Sequence, residues 1–92
     1  MNITEIMKPI TLQFDMSLEG VTNVWEAHGM ICTNSQLECT DIHHVEYITE
    51  TNGWPVISVT FSNTECAKVY VAEYLGVSVT DSDVIDYMMC KN

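Results

Sequence analysis

Val21-Thr22-Asn23-Val24-Trp25-Glu26-Ala27-His28-Gly29-Met30-Ile31 reads in two ways, and the number of strands in the chain depends on the choice. On strand spacing Trp25, Ala27, Gly29 and Ile31 share a face opposite Glu26, His28 and Met30. On helix spacing Val21, Val24, Trp25 and His28 form one stripe. The strand is the reading adopted, over residues 21–31; a helix there would give a β-α-β-β-α order instead.

On the N-terminal side, Ile10, Leu12, Phe14 and Met16 alternate with Thr11, Gln13, Asp15 and Ser17, the period of a half-buried strand over 10–17. Leu18-Glu19-Gly20 supplies a turn into the disputed segment. On the C-terminal side, Thr33-Asn34-Ser35-Gln36 has loop chemistry, and Ile42, Val45, Tyr47, Ile48 and Thr49 favour a third strand within 38–49. Asn52-Gly53 tolerates the positive φ of a type I′ turn, so a hairpin leads into a fourth strand over 54–61. There Ile57, Val59 and Phe61 face opposite to Val56, Ser58 and Thr60, and Pro55, with no amide proton, belongs near the strand start or on an edge.

Ser62-Asn63-Thr64-Glu65 has the spacing of a capping box, which predicts a helix over 64–75 with Ala67, Tyr70, Val71, Tyr74 and Leu75 on one stripe and Gly76 as its stop. Thr80-Asp81-Ser82-Asp83 repeats that chemistry ahead of a helix over 81–90 carrying Val84, Ile85, Met88 and Met89. The expected fold is α+β: a four-stranded antiparallel β-meander with two C-terminal helices packed on one face, a single domain over residues 1–92.

Apolar residues make up 47% of the chain and charged ones 17%, a balance that favours a packed globule over a disordered tail. Thirteen Asp and Glu stand against Lys8, Lys68, Lys91 and no arginine, a formal charge of −10. Phosphate-backbone binding needs cations that neutralise phosphates and release counterions, so no direct DNA partner is expected. The N-terminus has an early acid, Glu5, and no apolar run of signal-peptide or membrane-span length, so an intracellular chain with no membrane partner is expected. In that compartment Cys32, Cys39, Cys66 and Cys90 are expected as free thiols.

Motifs for chemistry are thin. Cys32, Cys39, His43 and His44 are zinc-type ligands, but they lack the tight pairs of zinc fingers and ribbons, and adjacent strand histidines point to opposite faces. Cys39, Asp41 and His43 could be drawn as a nucleophile, an acid and a base, but no catalytic signature surrounds them. Asp81 and Asp83 lack the run of a calcium loop and read as helix-capping acids. Neither a cofactor nor a metal is expected, and no enzyme activity. The aromatic residues, Trp25, Trp54, Tyr47, Tyr70, Tyr74 and Tyr87 among them, are expected mainly in the core, any exposed ones being interface anchors.

The charge therefore carries the functional reading. A radius of gyration near ~12 Å gives a diameter of roughly 30 Å, over which a DNA duplex has about 18 phosphates and a single strand about 9. An excess of ten acids is closer to the single strand. The densest local acids are Glu46 and Glu50, placed on one face of the third strand, and Asp81, Asp83 and Asp86 at the start of the last helix. These five are the candidate partner-binding residues, and a basic nucleic-acid-binding protein is the expected partner.

The size, the acidity, the meander and the segments Met1-Asn2-Ile3-Thr4-Glu5-Ile6-Met7-Lys8-Pro9-Ile10 and Thr80-Asp81-Ser82-Asp83-Val84-Ile85-Asp86-Tyr87 resemble the small phage anti-CRISPR proteins, in particular inhibitors of type I-F systems. The resemblance implies a non-enzymatic inhibitor that docks on Cas subunits of a surveillance complex in the bacterial host cytoplasm and blocks target DNA. It transfers no residue role. The alternative is a small acidic regulatory or adaptor protein that binds a host protein through an apolar patch, its charge serving solubility.

Overall fold

The computed structural model describes residues 9–16, 23–38, 40–51 and 54–91, with the backbone alone at 50, 51, 54 and 91. Strand β1 (Ile10–Asp15), helix α1 (Val24–Ser35), strands β2 (Ile42–Thr51) and β3 (Trp54–Phe61), and helices α2 (Thr64–Leu75) and α3 (Ser82–Lys91) follow in that order. The class is α+β with an antiparallel sheet, but three strands and three helices replace the expected four and two.

The correction falls on residues 21–31. Asn23 has extended backbone, and its Oδ1 accepts the Glu26 amide at 2.8 Å, which caps one of the orphan donors of a helix start. Val24, Ala27 and Ile31 are buried at positions i, i+3 and i+7, whereas Trp25 and Met30 are about half exposed. On the strand's face Trp25 would lie with Gly29 and Ile31; the helix instead buries Val24, Ala27 and Ile31 and leaves the indole half exposed. Gln36 ends α1 in the left-handed region at φ 60°, and the Leu37 amide donates to the Cys32 carbonyl at 3.1 Å.

Removing that strand changes the topology. β3 lies in the centre, in the order β1-β3-β2, and pairs antiparallel with both neighbours, so the sheet is no meander. Leu12 stands opposite Val59 and Phe14 opposite Ile57, both pairs wholly buried. Pro55 is the second residue of β3. The turns expected at Leu18-Glu19-Gly20 and Asn52-Gly53 lie outside the described residues, although β2 and β3 are joined across only those two residues, 52 and 53.

All three helices feed one core with the inner face of the sheet: Leu12, Phe14, Ile57, Val59 and Phe61 meet Val24, Ala27 and Ile31 from α1, Ala67, Tyr70 and Val71 from α2, and Val84 and Met88 from α3. Phe14 is its hub, with ring centroids 4.7 Å from Tyr70, 5.1 Å from Tyr74 and 5.4 Å from Tyr87. Helix α2 and β3 have the expected bounds, but the α2 cap is Asn63, whose side chain accepts the Cys66 amide at 3.0 Å. Ser62, one residue earlier, bonds the Thr40 carbonyl and lies 2.9 Å from His43 Nε2, tying β3's end to the loop before β2. No helix among the described residues is long and apolar enough to cross a membrane.

Candidate functional site

Helix α2 stops at Gly76, which takes φ 73° and returns its amide to the Ala72 carbonyl at 2.9 Å. The chain then reverses through 77–81 into α3. Asp81 caps that helix: its Oδ1 accepts the Asp83 amide at 2.9 Å and its carbonyl the Val84 amide at 3.1 Å. Val84 and Met88 anchor α3 in the core. The surface left between α2 and α3 is a groove of about 340 Å³ lined by Leu75, Val77, Asp83, Asp86, Tyr87 and Cys90.

Its walls are held stiffly. The Tyr87 ring stacks on Phe14 at 19° and its hydroxyl donates to the Gln13 carbonyl at 2.7 Å; Tyr74 makes the matching bond to the Asp15 carbonyl, also 2.7 Å. Two tyrosines thus occupy carbonyls of edge strand β1, one way in which an edge is kept from pairing with another chain. Burial first, and then the neighbouring Tyr74, holds Tyr87 far above the ordinary phenol range, so it stays a neutral donor. Asp83 and Asp86, three residues apart on α3 and both exposed, lie at the groove together.

Four of the five candidate acids have described side chains, and these divide between two surfaces, while Glu50 is described in its backbone alone. Asp83 and Asp86 belong to the groove, while Asp81 spends one carboxylate oxygen on the helix cap. Glu46 is exposed on β2, opposite Ser58, with His44 Nε2 at 3.5 Å. Strand β2 is two strands away from β1, roughly 10 Å across the sheet, and α3 packs on the β1 side. The register of β2 on β3 shifts between Tyr47 and Thr49, so that position 46 pairs with Ser58 and position 50 with Pro55; the face expected for Glu50 lies outside the described side chains.

The residues weighed above as zinc ligands or as a nucleophile set can be followed only in part. Cys39 lies outside the described residues. His43 faces Ser62, His44 faces Glu46, and Asp41 accepts the Glu38 amide at 2.8 Å and the Cys66 thiol at 3.4 Å. No group of three or more metal-ligating side chains forms among the described residues. Burial, then the Asp41 hydrogen bond and charge, push the Cys66 thiol above its usual range.

A different cluster appears on α1. His28 Nδ1 is 2.8 Å from the Tyr70 hydroxyl, and Cys32, one turn on, has its sulfur 3.6 Å from Nε2. Tyr70 is fully buried, so its hydroxyl proton needs an acceptor; donation to Nδ1 satisfies it and places the ring proton on Nε2, towards the sulfur. This tautomer is inferred from that requirement. Burial lowers the His28 pKa and raises that of Cys32, so both stay neutral rather than forming a thiolate–imidazolium pair. The cluster borders a second groove of about 290 Å³ with Leu37, Glu38 and Ile42. Its sequence signal is the four-residue spacing of His28 and Cys32, which has meaning only on a helix.

Comparison of the chain with protein families, with curated proteins and with solved structures finds no match in any of the three.

Proposed function

We propose that this protein is a stoichiometric, non-enzymatic inhibitor that binds a basic nucleic-acid-binding protein and competes for its nucleic-acid path. The observation that carries the reading is charge: a formal −10 on 92 residues. In support, Asp15, Glu26, Glu38, Glu46, Glu65, Glu73, Asp83 and Asp86 are exposed, Asp41 and Asp81 half-buried, and no described charged residue is buried. Fields of this kind raise encounter rates and set partner choice. The resemblance to phage anti-CRISPR proteins specifies the target within this proposal as Cas subunits of a surveillance complex in the host cytoplasm, whose heteroduplex channel is positively charged.

A second reading has its own support. The groove between α2 and α3 has apolar walls, and Ile85 and Met89 on α3 are 44% and 76% exposed, which suits an adaptor that docks through apolar contact. The test is a competition assay against target DNA on the isolated partner. Charge reversal of Asp83 and Asp86 to Lys, and separately of Glu46 to Lys, is expected to slow association and weaken inhibition, with one inhibitor consumed per target. Inhibition that survives reversal on both surfaces would exclude electrostatic blockade; one molecule silencing many targets would indicate turnover.

A further inference from the structure

We infer that the groove between α2 and α3 is a subsite for one arginine side chain of the partner, presented among apolar residues; this deepens the reading above and rests on its basic partner. The walls and the rim ask for different things. Leu75, Val77 and Tyr87 offer apolar surface, while Asp83 and Asp86 place two carboxylates beside it. An apolar occupant would cover the wall and leave the two exposed carboxylates at its edge unpaired. An anion would be repelled by them. A long cationic side chain meets both demands, its stem lying along the apolar wall and its head reaching the carboxylates. Arginine is preferred to lysine because its guanidinium is planar, more weakly hydrated and able to stack on an aromatic ring such as Tyr87.

Helix capping does not account for both acids. Asp83 lies in the first turn of α3, where a negative charge favours the helix dipole, and Asp81 already supplies the cap. Asp86 lies a turn further in, beyond the reach of that effect, and still lines the groove. At 100° per residue Met89 lies about 60° around α3 from Asp86, with Ile85 next to it. Both are exposed, so the acid is flanked by apolar side chains as well as by the groove wall. Residues next to the bound arginine would therefore be apolar, and methionine adapts readily to such contacts. The volume, about 340 Å³, is at the lower end of the usual range for ligand cavities, about 300–1,000 Å³, and suits a side chain rather than a whole element.

The test uses the full chain with labelled methyl groups and two blocked nine-residue peptides, each carrying three arginines, separated by leucines in one and by serines in the other. The leucine peptide is expected to move the Leu75 and Val77 methyl signals and to bind about tenfold more tightly than the serine peptide. Asp83→Asn with Asp86→Asn is expected to weaken it roughly two- to thirtyfold, the scale of two exposed ion pairs. Cys90→Phe, which keeps both carboxylates and fills the groove from an exposed position, should also weaken it. Glu46→Gln should change affinity less than about twofold, since Glu46 is on β2. Unmoved Leu75 and Val77 methyls at saturation, or affinity unaltered by both groove variants, would overturn the subsite. The two ideas fail separately: charge-dependent inhibition with a silent groove removes only the subsite, and groove binding with charge-independent inhibition removes only the blockade.

Discussion

His28 shows how one residue takes its properties from two helices. It is carried on α1 with Cys32 and bonded to Tyr70 of α2, and Glu38 lines the same groove. Burial holds its pKa below the unfolded value of 6.5, so the unfolded chain binds its proton first as pH falls. Its contribution to stability is therefore complete above pH ~6.5 and declines as pH drops from there towards the lower folded pKa. Urea unfolding of the wild type and of His28→Gln should show the advantage of the wild type shrinking between pH 7.5 and 5. A constant or growing gap would mean that His28 is not disfavoured as imidazolium. The capping residue illustrates a limit of reading by residue: Ser62 and Asn63 both suit a helix start, and Ser62 is diverted because folding brings it to Thr40 and His43, leaving Asn63 to cap.

At the scale of elements, α1 carries a testable difference between the two readings of residues 21–31. Gly29 lies within the helix, exposed, and a Cβ there meets nothing within 4 Å. Gly29→Ala should therefore stabilise the protein by about 0.5–1 kcal/mol, the usual helix-interior difference, with a small gain in helical circular dichroism. Destabilisation would indicate a tight inward position, as a strand requires. The strand reading arose because small and large apolar residues fall on both periods here. Asn23 with Glu26 three residues on was the local sign of a helix start. By contrast β1, β3 and α2 were legible because one period alone fits each, and their inward faces are those expected. The bulge in β2 between Tyr47 and Thr49 had no such sign; it follows from pairing with β3.

For the whole molecule, a charge of −10 within a radius of gyration of 12.8 Å should affect folding and binding with opposite signs. Like charges repel one another in the compact state, and salt screens them over a Debye length of about 10 Å at 0.1 M. Raising salt from about 0.05 to 0.5 M is thus expected to raise the Tm while weakening capture of a basic partner; a partner bound equally well at both would favour the apolar adaptor. Composition sets the acidity, and the order of residues sets the strand and helix periods that admit a single reading and with them the α+β class, because a period depends only on neighbours along the chain. Tertiary structure alone decided that residues 24–35 are helical, that β3 is central, and that Asp83 and Asp86 meet Leu75, Val77 and Tyr87 while Glu46 stands apart. Each of those depends on which surface a segment finds to bury itself against, and contacts between residues far apart in sequence are set by packing rather than by local preference.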